Sequence, residues 1–354
     1  MARDRKQPIP VTMVAGPTGV GKTTLINRLL KSSAFANVAV ILNDFGEVAL
    51  QGAAIATADD GYIAFGSGCV CCSVRGALAD ALENLLRDLD NGRVAAIGRV
   101  VIEADAAADP AAILGALARH PYLSLRFSPV GIVAVLDATT AAATLAIRAD
   151  TVRQVAMADV IALSHGMPAS LKADLASLNP HAVVVDAATA AAITFVDHGN
   201  IDPATGDIEA WLGAEPSGAA PRTEGEAGRI VAFTVVRNTA IPLVALDRLL
   251  EYLSFLQAQN LIRVRGVIAI SDTETVIVNG IGGFFYPPAI VGRAFTEAPA
   301  TRFSVIARDL PRTTFEGYLD AFLNEARIDT PDRAVVIDNP LAIAGFSARR
   351  TDRN

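Results

Sequence analysis

The segment Gly16-Pro17-Thr18-Gly19-Val20-Gly21-Lys22-Thr23 constrains this chain more than any other. It reads as glycine, four residues, then Gly-Lys-Thr, the P-loop pattern. An apolar run at 11–15 precedes it and a helical pattern at 23–30 follows, which is the strand–loop–helix setting the pattern requires. The glycines let successive backbone N–H groups turn inward around phosphate oxygens. Lys22 can then reach the β- and γ-phosphates, and the Thr23 hydroxyl can hold Mg²⁺. Gly16, Gly19, Gly21, Lys22, Thr23 and the adjoining Thr24 are the expected nucleotide-binding residues. A glycine-rich turn without a ligand is the bland alternative, and the placement argues against it.

Around this loop, candidate strands at 11–15, 38–42, 99–103, 131–136, 160–163 and 182–185 alternate with helical patterns at 23–30, 78–89, 110–119 and 141–157. Fully apolar strands separated by helices indicate a mostly parallel sheet covered on both faces. Residues 213–228 (GAEPSGAAPRTEGEAG) carry no apolar periodicity and read as a linker. Beyond it, strands at 230–236, 261–270, 275–278 and 304–307 accompany helices at 243–256 and 314–326. The expected division is an α/β nucleotide- and metal-binding domain over 1–212, the linker, a smaller α+β domain over 229–328, and a tail over 329–354.

A net charge of −7 argues against a nucleic-acid partner. The longest apolar stretches are interrupted by Asp137 and Asp186, so no membrane span is expected. No apolar core of signal-peptide length precedes Gly16, and a cytoplasmic location is the expectation.

A second acidic element should close a neighbouring strand and face Mg²⁺ or its water. Glu103, after Val100-Val101-Ile102, fits. Asp137, after Val133-Ala134-Val135-Leu136, competes, although Thr139-Thr140 gives it a local role as a helix cap.

The three cysteines all fall in Gly68-Cys69-Val70-Cys71-Cys72-Ser73. An odd number excludes a disulfide framework. A following helix lowers thiol pKa values, and three thiolates supply three of the four tetrahedral positions of Zn²⁺. A closed structural site would bring a second Cys or His pair. Yet His120, His165, His181 and His198 lie far off in sequence. The open position suits a metal that is handed on. Buried cysteines used as small apolar residues, and a thiol redox role, are the alternatives.

Together these motifs resemble the CobW-type family of P-loop GTPases, metallochaperones chiefly for zinc. The residues that carry the resemblance are the P-loop, Asn43-Asp44-Phe45-Gly46-Glu47, Gly68-Cys69-Val70-Cys71-Cys72, the strand ending Ile102-Glu103 followed by Ala104-Asp105-Ala106-Ala107-Ala108-Asp109-Pro110, and Leu178-Asn179-Pro180. Arg263-Val264-Arg265-Gly266 stands where the family usually has Arg-x-Lys-Gly, so the second domain looks like the family's carboxy-terminal domain. The resemblance implies that Lys22, Asp44 and Glu103 form the catalytic set, and that Cys69, Cys71 and Cys72 hold Zn²⁺ with Glu47 or water. It also implies that Thr23 holds Mg²⁺ and that Asn179 lies at the base pocket. It implies GTP as the nucleotide, and a client metalloprotein or metal-insertion enzyme as partner. Self-association as a homodimer is left open.

Two departures qualify the expected chemistry. Ala106 occupies the family's glycine position after the catalytic strand. Ser164-His165-Gly166-Met167 replaces the family's Asn-Lys-x-Asp guanine-reading motif, and Met167 cannot accept the hydrogen bonds an Asp would. The expected function is nucleotide-dependent metal delivery with weak turnover, on GTP or, with relaxed base choice, ATP. A nucleotide- and metal-binding scaffold poor in hydrolysis is the alternative. Arg263 and Arg265 are expected to be solvated residues flanking a strand.

Overall fold

The structure is a computed structural model that describes residues 8–35, 37–43, 64–67, 77–94, 96–104, 106–195, 208–213, 228–292 and 301–323. The first sheet is built from β1 (Ile9–Ala15), β2 (Val38–Asn43), β3 (Ala64–Ser67), β4 (Arg99–Glu103), β5 (Phe127–Asp137), β6 (Val160–Ser164) and β7 (Val183–Asp186). Its order is β3-β2-β4-β1-β5-β6-β7, and every pairing is parallel. The helices α1 (Lys22–Leu29), α2 (Ala77–Asp90), α3 (Pro110–Arg119), α4 (Leu123–Arg126), α5 (Ala141–Ile147), α6 (Ala149–Met157) and α7 (Ala169–Leu178) connect its strands.

The apolar strands make sense once their two faces are separated. Along β1, Val11, Met13 and Ala15 enter one core while Val14 enters the other. Ile132, Ala134 and Leu136 of β5 likewise face one way, and Val133 and Val135 the other. Side chains alternate across a strand, so burial on both faces demands an unbroken apolar run.

The helical pattern expected over 141–157 is two helices instead of one. Arg148 adopts an extended backbone between α5 and α6. Its guanidinium pairs with Asp150, whose carboxylate also accepts from the Thr151 N–H in the first turn of α6. An acidic group in the first turn favours the start of a second helix there.

After α8 (Ile208–Leu212) comes a second, antiparallel sheet of β8 (Ile230–Arg237), β9 (Leu261–Ala269), β10 (Glu274–Ile281), β11 (Phe284–Phe285), β12 (Ala289–Gly292) and β13 (Thr301–Arg308). Its order is β11-β10-β9-β13-β8, with β12 also on β10. Two helices, α9 (Leu243–Leu256) and α10 (Arg312–Leu323), cover one face. There Leu246, Leu249 and Leu253 meet Val264, Phe303 and Phe315, and the rings of Phe303 and Phe315 pack edge-on at 5.8 Å. The opposite face carries Ile281 and Ile306 into the core of the first sheet. Trp211 of α8 packs there against Val267 and Ile277.

The architecture is therefore a P-loop-type parallel sheet with helices, joined to an antiparallel α+β unit. Among the described residues no helix is long and apolar enough to cross a membrane.

Candidate nucleotide site

Strand β1 delivers the chain directly into the glycine loop. Gly16 has φ +140°, and a Cβ there would sit 2.2 Å from the Val135 carbonyl oxygen of β5. Only glycine fits so close to a neighbouring strand. Gly21 caps α1 with φ +99°, and its carbonyl accepts from Leu25 N–H at 2.9 Å. Lys22, only 8% exposed, opens the helix and turns back so that Nζ donates to the carbonyls of Gly16 (2.9 Å) and Pro17 (3.0 Å). A fixed cation beside a helix N-terminus, with backbone N–H groups free of helix pairing, is an anion-binding arrangement.

Glu103 closes β4 next to this loop, in register with Val14 of β1. Its carboxylate takes the Thr23 hydroxyl, which donates to Oε1 at 2.9 Å and lies 3.1 Å from Oε2. A hydroxyl and a carboxylate are hard oxygen donors of the kind Mg²⁺ prefers, so the pair fits that ion. Asp137, the competing acid, is engaged in a local turn. Its Oδ1 accepts from the Thr139 N–H at 2.8 Å and from its hydroxyl at 2.6 Å. These hydrogen bonds hold the Asp137 carboxyl below its ordinary pKa.

The segment after Glu103 is pinned from α6. Gln154 Nε2 donates to the carbonyls of Ala106 (3.1 Å) and Ala108 (2.9 Å), and Gln154 is 1% exposed. Asp109 caps α3 by accepting from Ala111 N–H at 3.0 Å, and pairs with Arg153 at 2.8 Å. Ala106 is not among the described non-glycine residues with positive φ, which are Asn37, His165 and Asp309. Alanine in the family's glycine position therefore sits without backbone strain.

At the end of β6, the Ser164 hydroxyl lies 3.2 Å from the Val20 carbonyl of the glycine loop. It ties the departed motif to the phosphate loop. His165 follows with φ +60° and its Nδ1 lies 3.1 Å from Asp137 Oδ2; Met167 is 43% exposed. Asn179 corrects the expectation that placed it at the base. It is fully buried, its amide donates to Val155 O (2.7 Å) and Ala158 O (2.8 Å), and its oxygen accepts from His181 N–H. These bonds brace the α6–β6 and α7–β7 turns and leave nothing presented to a ligand.

Of the expected site residues, Lys22, Thr23 and Glu103 come together. Asp44, Glu47, Cys69, Cys71 and Cys72 lie outside the described residues, as do most of the expected linker and the whole tail. Among the described residues no group of three or more His, Cys, Asp or Glu side chains is placed to hold a metal.

The arginines of β9 also depart from expectation. Arg263 and Arg265 are 0% and 2% exposed. Both pair through Nη2 with Asp159 Oδ1, at 2.5 and 2.7 Å. Asp159 Oδ2 accepts from the Ile132 N–H at 2.9 Å. Arg265 also reaches the His181 carbonyl at 3.2 Å and the Trp211 carbonyl. The arginines are buried because β9 turns this face onto the first sheet, where a carboxylate awaits them. Burial, followed by the neighbouring Arg263 charge, lowers the Arg265 pKa to about 10.

The chain matches known proteins along most of its length. The CobW/HypB/UreG nucleotide-binding domain matches residues 10–189, and the cobalamin synthesis protein cobW C-terminal domain matches residues 230–323. The zinc chaperone YjiA of Escherichia coli (strain K12) is 35% identical over 199 residues, 55% of this chain and 59% of that protein. The zinc chaperone CobW of Pseudomonas aeruginosa is 25% identical over 347 residues, 88% of this chain and 90% of that protein. Zinc-regulated GTPase metalloprotein activator 1 of Saccharomyces cerevisiae is 31% identical over 137 residues, 37% of this chain and 31% of that protein. The match thus spans less than two thirds of the YjiA and yeast proteins. Among solved structures, Zn(II)-bound YjiA GTPase from E. coli superposes with a TM-score of 0.63 at 24% identity, covering 89% of this chain and 99% of that one. At that identity the likeness speaks for the fold.

Proposed function

Because the chain belongs to the CobW/HypB/UreG family of nucleotide-binding proteins, we propose that it is a nucleotide-dependent metal-binding protein that delivers zinc, or a related metal, to a client metalloprotein or metal-insertion enzyme. The observation that carries the nucleotide half is the Thr23–Glu103 contact beside the arched Lys22. It gathers a cation, a hydroxyl and a carboxylate at the mouth of a glycine loop. In this reading Lys22 offsets phosphate charge, Thr23 and Glu103 hold Mg²⁺, and Glu103 with Asp44 orients the attacking water. Bound Mg²⁺ would supply charge neutralisation on the phosphate oxygens. The names of the relatives support zinc as cargo, with Cys69, Cys71 and Cys72 as its thiolate ligands and Glu47 or water beside them.

Ser164-His165-Gly166-Met167 favours a second reading, a nucleotide- and metal-binding scaffold of poor hydrolysis. One experiment tests both. Turnover of GTP and ATP is measured with and without zinc, beside binding of each nucleotide to wild type and Lys22→Ala. Zinc-responsive turnover supports the delivery reading, and binding without turnover the scaffold. Unchanged nucleotide affinity in folded Lys22→Ala overturns the loop's assignment.

A further inference from the structure

Helix α6 presents Val152, Val155, Ala156 and Met157 to the interior, and Gln154 is buried among them. A polar amide in such a place costs free energy unless its donors are used. Both are used, on Ala106 O and Ala108 O. Peptide groups are planar and trans, so fixing those two carbonyls also fixes the N–H groups of Ala107 and Asp109, which point the other way. One neutral side chain therefore sets two alternate peptide planes of the segment joining Glu103 to the cap of α3.

The described residues of that segment on either side are held as well. At its start, Ala104 N–H donates to Val14 O at 2.7 Å, just before the glycine loop, and Glu103 contacts Thr23. At its end, Asp109 caps α3 and pairs with Arg153, the neighbour of Gln154 on α6. Glu103 itself is held in the sheet between Val14 and Leu42, so what Gln154 sets is the path of residues 106–109 beyond it. We infer that Gln154 is a positioning residue for phosphate hydrolysis, holding residues 106–109 in one path beyond the Glu103–Thr23 contact, with the Ala107 and Asp109 N–H groups fixed in direction.

The inference rests on the nucleotide-dependent reading above. Gln154→Met keeps the length and apolar packing but removes both donors. Gln154→Glu keeps the shape and sets a carboxylate against two carbonyl oxygens. Both are compared with wild type by thermal melting, by steady-state turnover of whichever of GTP and ATP wild type hydrolyses faster, and by calorimetric affinity for the matching diphosphate.

Folded Gln154→Met should lose about tenfold in kcat, while KM and diphosphate affinity change by less than about twofold. The buried carboxyl that Gln154→Glu introduces should have a raised pKa, and its protonated form regains one donor. The activity of Gln154→Glu relative to wild type should therefore recover as pH falls from about 8 to about 6, whereas that of Gln154→Met should not. A kcat within twofold of wild type in folded Gln154→Met, or in folded Gln154→Glu at about pH 8, overturns the inference. So does a loss shared equally by kcat and diphosphate affinity, or the absence of pH recovery in Gln154→Glu. Wild-type protein that binds neither nucleotide overturns the underlying reading, and this inference with it.

Discussion

Asp159 and Arg263 meet at 2.5 Å across the junction of the two sheets, one at the head of β6 and the other on β9, with both side chains all but fully buried. Arg265 shares the same carboxylate oxygen. One negative charge therefore serves two guanidinium groups. A buried pair of this kind adds little net stability over an apolar replacement, because desolvation offsets attraction, yet breaking it by removing one partner is costly.

Asp159→Ala should accordingly destabilise the protein by about 3–5 kcal/mol, leaving two buried cations without a counter-charge. Replacing Asp159, Arg263 and Arg265 together by Leu, Met and Met should cost far less, since no charge is stranded. Urea unfolding of the three proteins compares them. An Asp159→Ala loss below about 1 kcal/mol would mean that water reaches the arginines and the junction is looser than its burial implies.

The same junction makes stability depend on pH. His181 is buried, its Nε2 lies 2.5 Å from the Ser304 hydroxyl, and its Nδ1 has no partner among the described residues. Burial first, then the charges of Arg265 and Arg263, holds its pKa well below the ordinary histidine value. Below about pH 6.5 the unfolded chain binds a proton here that the native chain does not. Stability should therefore fall as pH drops through that value, by at most about 1.4 kcal/mol per pH unit from this group, and stay level above it. His181→Gln should remove that component from the pH profile of unfolding midpoints. Identical slopes for the two proteins would show that His181 protonates inside the fold.

The local parts of this molecule are legible in its sequence and the long-range parts are not. The glycine loop and the strand ending at Glu103 announce themselves because their signals lie within a few residues. The start of β5 at Phe127 escapes a sequence reading because Pro129 interrupts the apolar run. The register slips there, Val11 facing Pro129 and Thr12 facing Gly131, so the proline without an N–H sits at an irregularity. Helix α7 shows only Leu171 and Leu175 to the core, too thin a stripe to read. Nothing local in the sequence shows that Arg263, Arg265 and Gln154 are buried or what they pair with. The partners that decide their roles lie more than forty residues away along the chain, so charge and polarity alone point to the surface.

For the cargo, purified protein should bind about one Zn²⁺ tightly, as three clustered thiolates make a soft tetrahedral site. Replacing Cys69, Cys71 and Cys72 together by Ser should abolish that binding in competition with a chelator, while leaving nucleotide affinity in place. Retention of full zinc affinity by the triple variant would move the site to other residues.

The last expectation concerns the base. Met167 offers no acceptor where the family's Asp would take the guanine N1–H and amino group, and leaving each donor unpaired costs about 1–3 kcal/mol. The structure also removes Asn179 as a substitute, since its amide is spent on the backbone of the α6–β6 turn. The preference for GTP over ATP should therefore be under about tenfold, or 1.4 kcal/mol. Restoring Asn, Lys and Asp at positions 164, 165 and 167 should raise it. The Ser164 hydroxyl now reaches the Val20 carbonyl, and the new Asn must keep that tie to the glycine loop. Calorimetry of both nucleotides at fixed Mg²⁺ decides the matter. A wild-type preference of a hundredfold or more would require another acceptor beside this segment. Asp137 is the group to replace first, because its carboxylate is partly exposed and already touches the His165 ring.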